Sequence, residues 1–261
     1  MRIIADNLQI TNRKIADAVA DRNPELIQKL VTDAVNRGAD AIDINPGPLA
    51  KDAVEIITFL VNAVQSVTDK PFLLDTTNAK AMEAGLRASK NKAIINGFSL
   101  EPSKCNEFLP LARSFDADIV GYLLYPDNRV PMDENEFFTI TLELLAETEK
   151  AGVKPERLII DPVVAPLIWE NGMSHNRSLI SFHRRLHELA GFPLRSVCGL
   201  SNLTTGNAPK EKKRLAERTF LPMLATAGLD MVLLNIFHEE TVETAKMCSA
   251  LLGGGVFSWG Q

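Results

Sequence analysis

The sequence predicts an α/β protein that folds as a single (β/α)8 TIM barrel. Short apolar runs alternate with longer segments of helical periodicity, and this pair recurs eight times along the 261 residues. No long linker or low-complexity stretch interrupts the repeats, so we expect residues 1–261 to form one domain. A doubly wound sheet is the alternative, but it usually has fewer units and often a glycine-rich phosphate loop. Neither GxGxxG nor GxxxxGK[ST] occurs here.

The eight predicted strands are short, mostly apolar runs of two to four residues. They lie at 3–5, 41–42, 72–74, 93–95, 119–121, 158–160, 196–198 and 231–234. A helix follows each strand, at about 24–37, 51–67, after Thr77 and Asn78, 103–115, 133–151, 176–190, 211–227 and 239–252. The first helix shows the signals most clearly, since Asn23 can cap it, Pro24 suits its first position and Gly38 follows its end.

Composition and charge exclude several classes of protein. The hydrophobic fraction of 46% is too high for a disordered chain, and a net charge of −5 gives no general attraction for nucleic acid. No run reaches the roughly 18 apolar residues of a membrane span, and the start MRIIADNLQI lacks the apolar core of a signal peptide. Cys105, Cys198 and Cys248 lie too far apart for a disulfide framework or a CxxC site. We therefore expect a reduced, soluble, cytoplasmic protein that binds neither nucleic acid nor membranes.

Seven of the eight predicted strands end in Asp or Asn. In a TIM barrel the carboxyl ends of the strands meet at the mouth that carries the active site. One Asp or Asn at such a position is as readily a turn or helix-capping residue, but seven directed at one mouth indicate a ligand site. These residues are Asp6, Asp43 with Asn45, Asp75, Asn96, Asp161, Asn202 and Asn235.

A ring of carboxylates and amides suits two kinds of ligand. One is Mg²⁺, which prefers oxygen ligands. The other is a molecule rich in N–H donors, such as a pterin, because a carboxylate accepts two parallel hydrogen bonds from a 2-aminopyrimidinone edge. Zinc would need His or Cys ligands, and the only helical pair, His183 and His187, is expected on a solvated face outside the barrel. No Ser–His pair or lysine at a strand end supports a nucleophilic mechanism.

A basic segment, KEKKRLAER at residues 210–218, follows Asn202. TIM barrels often bind anions near the seventh strand, so Lys210 and Lys213 are candidates to face an acidic ligand tail or an acidic partner. A solvated helix start explains the segment at least as well.

Six segments, taken in order, resemble a known family. They are GADAIDINPGP (38–48), LLDTTNAKAMEAGL (73–86), KNKAIINGFS (90–99), LIIDPVV (158–164), GLSNLT (199–204) and RTFLPMLATAGLD (218–230). Together they resemble the pterin-binding methyltransferases, namely the methyltetrahydrofolate:corrinoid protein methyltransferases and the matching domain of cobalamin-dependent methionine synthase. The resemblance covers essentially the whole chain.

The resemblance implies methyl transfer between N5 of 5-methyltetrahydrofolate and the cobalt of a corrinoid. It makes Asp75, Asn96 and Asp161 the ligands of the pterin edge, and it places Asp43 and Asn45 in the same cleft. Asn202 corresponds to the family asparagine that hydrogen-bonds N5 and helps the methyl group to leave. Tetrahydrofolate and 5-methyltetrahydrofolate would be substrates, cobalamin would arrive on a partner corrinoid protein, and the chain would carry no metal of its own. The resemblance also implies a homodimer.

The chain departs from the family pattern at two places. Its first strand reads Ala5-Asp6-Asn7-Leu8-Gln9 where the family has GERxN, which leaves the contact made by Asp6 open. The loop after Asn202 is longer than usual, so Lys210, Lys213 and Arg214 all remain candidates for the family's basic residue there.

Two other functions remain as alternatives. Dihydropteroate synthase shares this barrel and a pterin site, but its GGESTRPG-like second-strand motif and its terminal Arg-x-His are absent. A non-catalytic folate-binding protein is the other alternative. A turnover assay with a corrinoid acceptor distinguishes both from a methyltransferase.

Overall fold

Eight parallel strands close into a barrel in chain order. A computed structural model describes residues 1–9, 12–47, 52–189 and 191–253. The strands are β1 Arg2–Gln9, β2 Ala41–Asn45, β3 Phe72–Leu74, β4 Ala93–Phe98, β5 Asp118–Tyr122, β6 Leu158–Asp161, β7 Arg195–Gly199 and β8 Met231–Leu234. Parallel pairing of β1 with β8 closes the ring. The predicted (β/α)8 TIM barrel is therefore confirmed.

Nine α-helices lie in the described part of the chain. They are α1 Arg13–Ala20, α2 Pro24–Asn36, α3 Ala53–Gln65, α4 Ala79–Ala88, α5 Pro102–Ser114, α6 Glu134–Lys150, α7 Gly172–Leu189, α8 Lys210–Thr226 and α9 Glu239–Leu252. Eight of them correspond to predicted helices, although α7 starts four residues earlier than expected. The predicted limits at Lys51 and Ala190 lie outside the described residues.

Helix α1 was not predicted. The first strand was expected to end at residue 5, whereas β1 runs on to Gln9, and α1 follows it closely. The signals for α1 are ordinary ones, since the Asn12 side chain accepts a hydrogen bond from the Lys14 N–H at 3.1 Å. Ile15, Ala18 and Val19 are buried at helical spacing.

The period-two alternation of the strands divides their side chains between two cores. Residues that face outward pack against the helices in the larger core. The residues that face inward form an apolar layer inside the barrel, and they are Ile4, Ala41, Leu73, Ile94, Val120, Ile159, Val197, Met231 and Leu233. Any side chain two residues further along a strand points the same way, toward the mouth above this layer.

The amino ends of the strands carry a different set of acidic residues. Asp118 begins β5, its side chain is 2% exposed, and it lies 2.9–3.0 Å from the cationic groups of Lys92, Arg157 and Arg195. Burial by itself raises the pKa of Asp118, but hydrogen bonds and charges from Arg195, Lys92 and Arg157 outweigh it and lower the pKa to about 2. This end of the barrel is held together by paired charges.

The expectation of a solvated His183–His187 face is wrong for His183. His187 is exposed, but His183 is buried, with Nε2 3.9 Å from Sγ of Cys198 on β7. Burial, and to a lesser degree the neighbouring His187, lowers the pKa of His183 to about 4, so the ring is neutral in the core. Cys198 and Cys105 are buried free thiols, and Cys248 is a half-buried one. None of the helices described here is long and apolar enough to cross a membrane.

Candidate functional site

One cavity of about 330 Å³ at the carboxyl ends of the strands brings together seven predicted site residues. They are Asp6, Asp43, Asn45, Asp75, Asn96, Asp161 and Asn202. The strand alternation explains this convergence, because Asp6 lies two residues after the inward-facing Ile4, and Asp161 two residues after Ile159. The polar ring thus sits directly on the apolar layer of the barrel.

Hydrogen bonds connect the residues of β2 with Asp75. The backbone N–H of Gly47 donates to Oδ1 of Asn45 at 2.9 Å, which orients the amide. Nδ2 of Asn45 then donates to Oδ2 of Asp75 at 2.7 Å. The Asn96 side chain also hydrogen-bonds Asp75 and lowers its pKa, although burial and the charge of Asp6 raise that pKa by more. Asp75 is therefore held in place by two amides.

Glycine allows β4 to place Asn96 in the cavity. The β4–β5 register shifts between Asn96 and Phe98, and a Cβ at Gly97 would clash with the carbonyl oxygen of Val120. No larger residue fits this close approach without moving the backbone.

Asp161 is fixed by the loop that follows β6. Its Oδ1 accepts a hydrogen bond from the Val163 N–H at 2.8 Å. Val163 has φ +58°, a left-handed conformation that costs a β-branched residue roughly 1–3 kcal/mol. Nε2 of His175 lies 2.9 Å from the Val163 carbonyl oxygen, and Nδ1 lies 2.8 Å from that of Pro131. Buried His175 therefore braces the strained turn that aims Asp161.

The acidic residues of this cavity have unusually high pKa values. Burial raises the pKa of Asp161 to about 7 and that of Asp6 to about 6. Burial, with the charges of Asp75 and Asp6, holds the pKa of Asp43 well above its usual range. No Lys or Arg side chain lines the cavity among the described residues, so no cation offsets these charges. Such a cavity favours a ligand that donates several hydrogen bonds.

Asp43 also has an acceptor atom with no partner. Its side chain is 1% exposed, and its Oδ1 makes no hydrogen bond within the described structure. A buried acceptor left unpaired costs about 1–3 kcal/mol. A donor brought by a ligand would offset this cost.

Asn202 lies at the rim of the same cavity. It belongs to a short 3₁₀-helix, Leu200–Thr204, that follows β7 directly, and it is exposed. A Cβ at Gly199 would lie 3.3 Å from Nδ2 of Asn202, so the missing side chain lets the amide lie over the end of β7. The amide is thus free to meet a ligand.

Asn235 and the basic segment lie elsewhere. Asn235 lines a neighbouring cavity of about 210 Å³ that shares Asp6, Gln9 and Ser201 with the main one. Lys210 is exposed and Lys213 is half-buried, and neither lines either cavity. Nζ of Lys213 donates to the Gly206 carbonyl oxygen at 2.7 Å. Half-buried Arg214 lies near His238, whose pKa is lowered by burial and by the Arg214 charge.

Several lining residues were missed from the sequence: Gln9, Tyr122, Gly199, Ser201 and Leu233. Tyr122 is the most consequential of these, because its hydroxyl donates to Oδ1 of Asn96 at 3.0 Å. Its position two residues after the inward-facing Val120 was the available signal, and a search restricted to Asp and Asn passes over it.

A further cavity, of about 350 Å³, lies between α7 and α8 and contains none of the predicted site residues. Its walls are mostly apolar and include Met173, Ile180, Phe220 and Met223. No group of three or more His, Cys, Asp or Glu side chains in the described residues has the arrangement of a metal site.

Known proteins resemble this one in sequence and in fold. Residues 7–235 match the family described as pterin binding enzymes. A curated relative, the methylcorrinoid:tetrahydrofolate methyltransferase of Eubacterium limosum, is 22% identical over 97% of this chain and 92% of its own length. Dihydropteroate synthase from Xanthomonas albilineans, solved with 7,8-dihydropteroate, shares the fold with a TM-score of 0.70 at 18% identity, covering 96% of this chain and 93% of that one. The Yersinia pestis enzyme, solved with a pterine–sulfa conjugate, has a TM-score of 0.69 at 17% identity, with the same coverage of both chains. With its barrel and most of its length matched, the chain belongs to the family of pterin-binding enzymes.

Proposed function

We propose that the protein transfers a methyl group between N5 of tetrahydrofolate and the cobalt of a corrinoid carried by a partner protein. The observation that carries the proposal is the Asn202 amide at the rim of a carboxyl-lined cavity that none of the described Lys or Arg side chains lines. The Eubacterium limosum relative supports it, because its name states methyl transfer between a methylcorrinoid and tetrahydrofolate, and the match spans nearly all of both chains.

The acidic residues would bind the pterin ring. A pterin presents adjacent N–H groups, and an ionised carboxylate accepts two of them in parallel. Asp161 and Asp75 supply such carboxylates, and Asn96 supplies an amide between them. Because hydrogen-bond donors favour the ionised carboxylate, ligand binding would lower the raised pKa of Asp161 and release its proton.

Asn202 would act on the nitrogen that exchanges the methyl group. The C–N bonding electrons remain on N5 when the methyl group leaves. In the reverse direction, the same electron pair of N5 forms the new bond to the methyl carbon. An amide N–H beside N5 stabilises the electron pair as it develops, so the interaction strengthens in the transition state and lowers the barrier. The corrinoid is a second substrate, whose cobalt supplies or accepts the methyl group. The walls of the cavity would hold the ring with N5 facing the mouth.

A corrinoid protein would dock over this mouth, and we infer a homodimer from the family resemblance. Size-exclusion chromatography with light scattering measures the mass of the free protein. A mass of one chain at micromolar concentration would refute the dimer without bearing on the reaction.

The test is the variant Asn202→Ala, with Asn207→Ala, an exposed asparagine of the same loop, as its control. We expect turnover to fall about ten- to a hundredfold, because one hydrogen bond to a developing charge contributes about 1.5–3 kcal/mol. The affinity for 5-methyltetrahydrofolate, measured by calorimetry, should change by less than about threefold. The control variant should behave as wild type.

Three results would contradict the proposal. Unchanged turnover in Asn202→Ala would remove this residue from the reaction. Tight folate binding without methyl transfer in either direction, with a methylated corrinoid or with its reduced form, would indicate a non-catalytic folate-binding protein. Formation of dihydropteroate would instead assign the chain to the synthase branch of the family.

A further inference from the structure

Tyr122 occupies a position in the cavity that the proposed reaction does not use. It is the last residue of β5, it packs on the apolar layer inside the barrel, and it lines the cavity beside the acidic ring. Its hydroxyl lies 3.0 Å from Oδ1 of Asn96, which is 7% exposed. One neutral side chain thus contacts the amide in the middle of the pterin-binding set.

The direction of this hydrogen bond follows from the groups around it. Burial and the charges of Asp75, Asp161 and Asp43 raise the pKa of Tyr122 well above 10, so the hydroxyl keeps its proton. The other end of the Asn96 amide hydrogen-bonds Asp75, which already accepts from Asn45. A carboxylate accepts only, so the NH₂ of Asn96 faces Asp75 and its oxygen faces Tyr122. Rotating the amide by 180° would place its oxygen against the carboxylate.

We propose that Tyr122 is a specificity-determining residue, whose hydroxyl holds the Asn96 amide in one orientation so that the cavity prefers a reduced pterin to an oxidised one. This inference rests on the proposed function, because it assumes that a pterin binds beside Asp75, Asn96 and Asp161.

The chemistry of the two ring states makes the orientation matter. A tetrahydropterin carries a hydrogen on N8, whereas N8 of an oxidised pterin is a bare acceptor. A wall of carboxylates and one fixed amide oxygen accepts hydrogen bonds and repels a bare nitrogen. Without the tyrosine hydroxyl, Asp75 alone holds the amide in this orientation, so rotation of the amide costs less. Its NH₂ can then meet the bare nitrogen, and the penalty against the oxidised ring falls.

The test compares Tyr122→Phe with Tyr125→Phe, which alters the only other tyrosine of the chain. Tyr125 does not line the cavity, and its ring packs against the guanidinium of Arg129 at 3.9 Å. The dissociation constants for 5-methyltetrahydrofolate and for folic acid, the reduced and oxidised probes, are measured by calorimetry on each protein. We expect the ratio of the two constants to narrow about three- to tenfold in Tyr122→Phe, the effect of one hydrogen bond, and to stay unchanged in Tyr125→Phe.

A second background shows whether the effect passes through Asn96. In Asn96→Ala there is no amide to orient, so adding Tyr122→Phe should leave the ratio unchanged. A purely structural role of the tyrosine would change both affinities together in either background, and thermal melting reports any loss of fold.

The outcomes separate this inference from the proposed function. If wild type binds 5-methyltetrahydrofolate and Tyr122→Phe has the same ratio of dissociation constants as wild type, the specificity role of Tyr122 is wrong and the proposed function stands. The specificity role through Asn96 is also wrong if the ratio narrows equally in the Asn96→Ala background. If wild type binds neither folate, the proposed function and this inference both fail.

Discussion

Two buried aspartates lie at opposite ends of the paired strands β5 and β6. Asp118 is at the amino end of β5, the lower end of the barrel, and Asp161 is at the carboxyl end of β6, the upper end that carries the cavity. Asp118, at the lower end, has three cationic partners, and its pKa falls to about 2. Asp161, at the upper end, accepts a backbone hydrogen bond from Val163 and has no cationic partner among the described residues, and burial raises its pKa to about 7. At neutral pH Asp118 is therefore ionised, whereas Asp161 is about half protonated.

Burial alone therefore does not determine the charge state of a carboxyl group. At the lower end the partners belong to the chain, so ionisation and folding support each other. At the upper end the described partners are neutral amides and backbone N–H groups, so ionisation of the buried carboxyl groups is costly unless a ligand brings further donors. We interpret the lower end as a stability element and the upper end as a binding site.

The largest expected effect is on binding at the upper end. Asp161→Ala removes a carboxylate that would accept two hydrogen bonds, each contributing about 1.5–3 kcal/mol when one partner is charged. The affinity for 5-methyltetrahydrofolate should therefore fall about a thousandfold by calorimetry. Asp127→Ala, which removes an exposed carboxylate after β5, is the control and should bind normally. Normal affinity in Asp161→Ala would take this residue out of the site.

A smaller effect is expected on stability at the lower end. Asp118→Asn leaves three cationic groups around a neutral side chain, so the free energy of unfolding should drop by about 3 kcal/mol in chemical denaturation. Asp116→Asn is a matched control, because Asp116 also pairs with Arg157 but is 62% exposed. An exposed pair contributes about 1 kcal/mol or less. Equal losses in the two variants would mean that burial of Asp118 adds nothing.

The smallest effect concerns the pH dependence of stability. The pKa of Asp161 is about 7 in the folded protein and 3.8 without the fold, so the folded state binds more protons between these values. The contribution of this group to stability is therefore lost as the pH rises from about 4 to 7. Asp161→Asn removes the group, and it should raise the free energy of unfolding by about 1–3 kcal/mol at pH 7 and leave it unchanged near pH 4.

The contribution of Asp118 to stability changes with pH in the opposite direction. Its lowered pKa makes a stabilising contribution that is complete above about pH 4 and is lost as the pH falls toward 2. Denaturation curves of wild type and both variants at several pH values measure the two trends. A gain in Asp161→Asn that is equally large at pH 4 would show that a cause other than ionisation stabilises this variant.

The barrel and the convergence of the acidic residues could be predicted from the sequence, because both depend on strand periodicity. Asp43, Asp75 and Asp161 directly follow the apolar runs of the predicted strands, and the closed parallel sheet brings them to one mouth. Tyr122 follows the same alternation, but a search for Asp and Asn does not select it. Its polar contact is with Asn96 of another strand, and the local sequence does not show such a contact.

Other features depend on packing that periodicity does not encode. His183 and His187 are four residues apart on one helix, yet only His183 meets the barrel, where the neutral ring packs near Cys198. Lys213 was predicted as a possible ligand contact, but a loop carbonyl at Gly206 binds its ammonium group. The conformation of this loop determines where the Lys213 ammonium group lies, and no local pattern in the sequence specifies that conformation.

The apolar layer inside the barrel bears on the order in which substrates bind. Residues such as Leu73, Val120 and Ile159 close the cavity from below, so the mouth is its way in. If a folate lies in this cavity and a corrinoid protein covers the mouth, both substrates use one opening. The folate then has to bind first and leave last, and steady-state kinetics should show a compulsory order of addition.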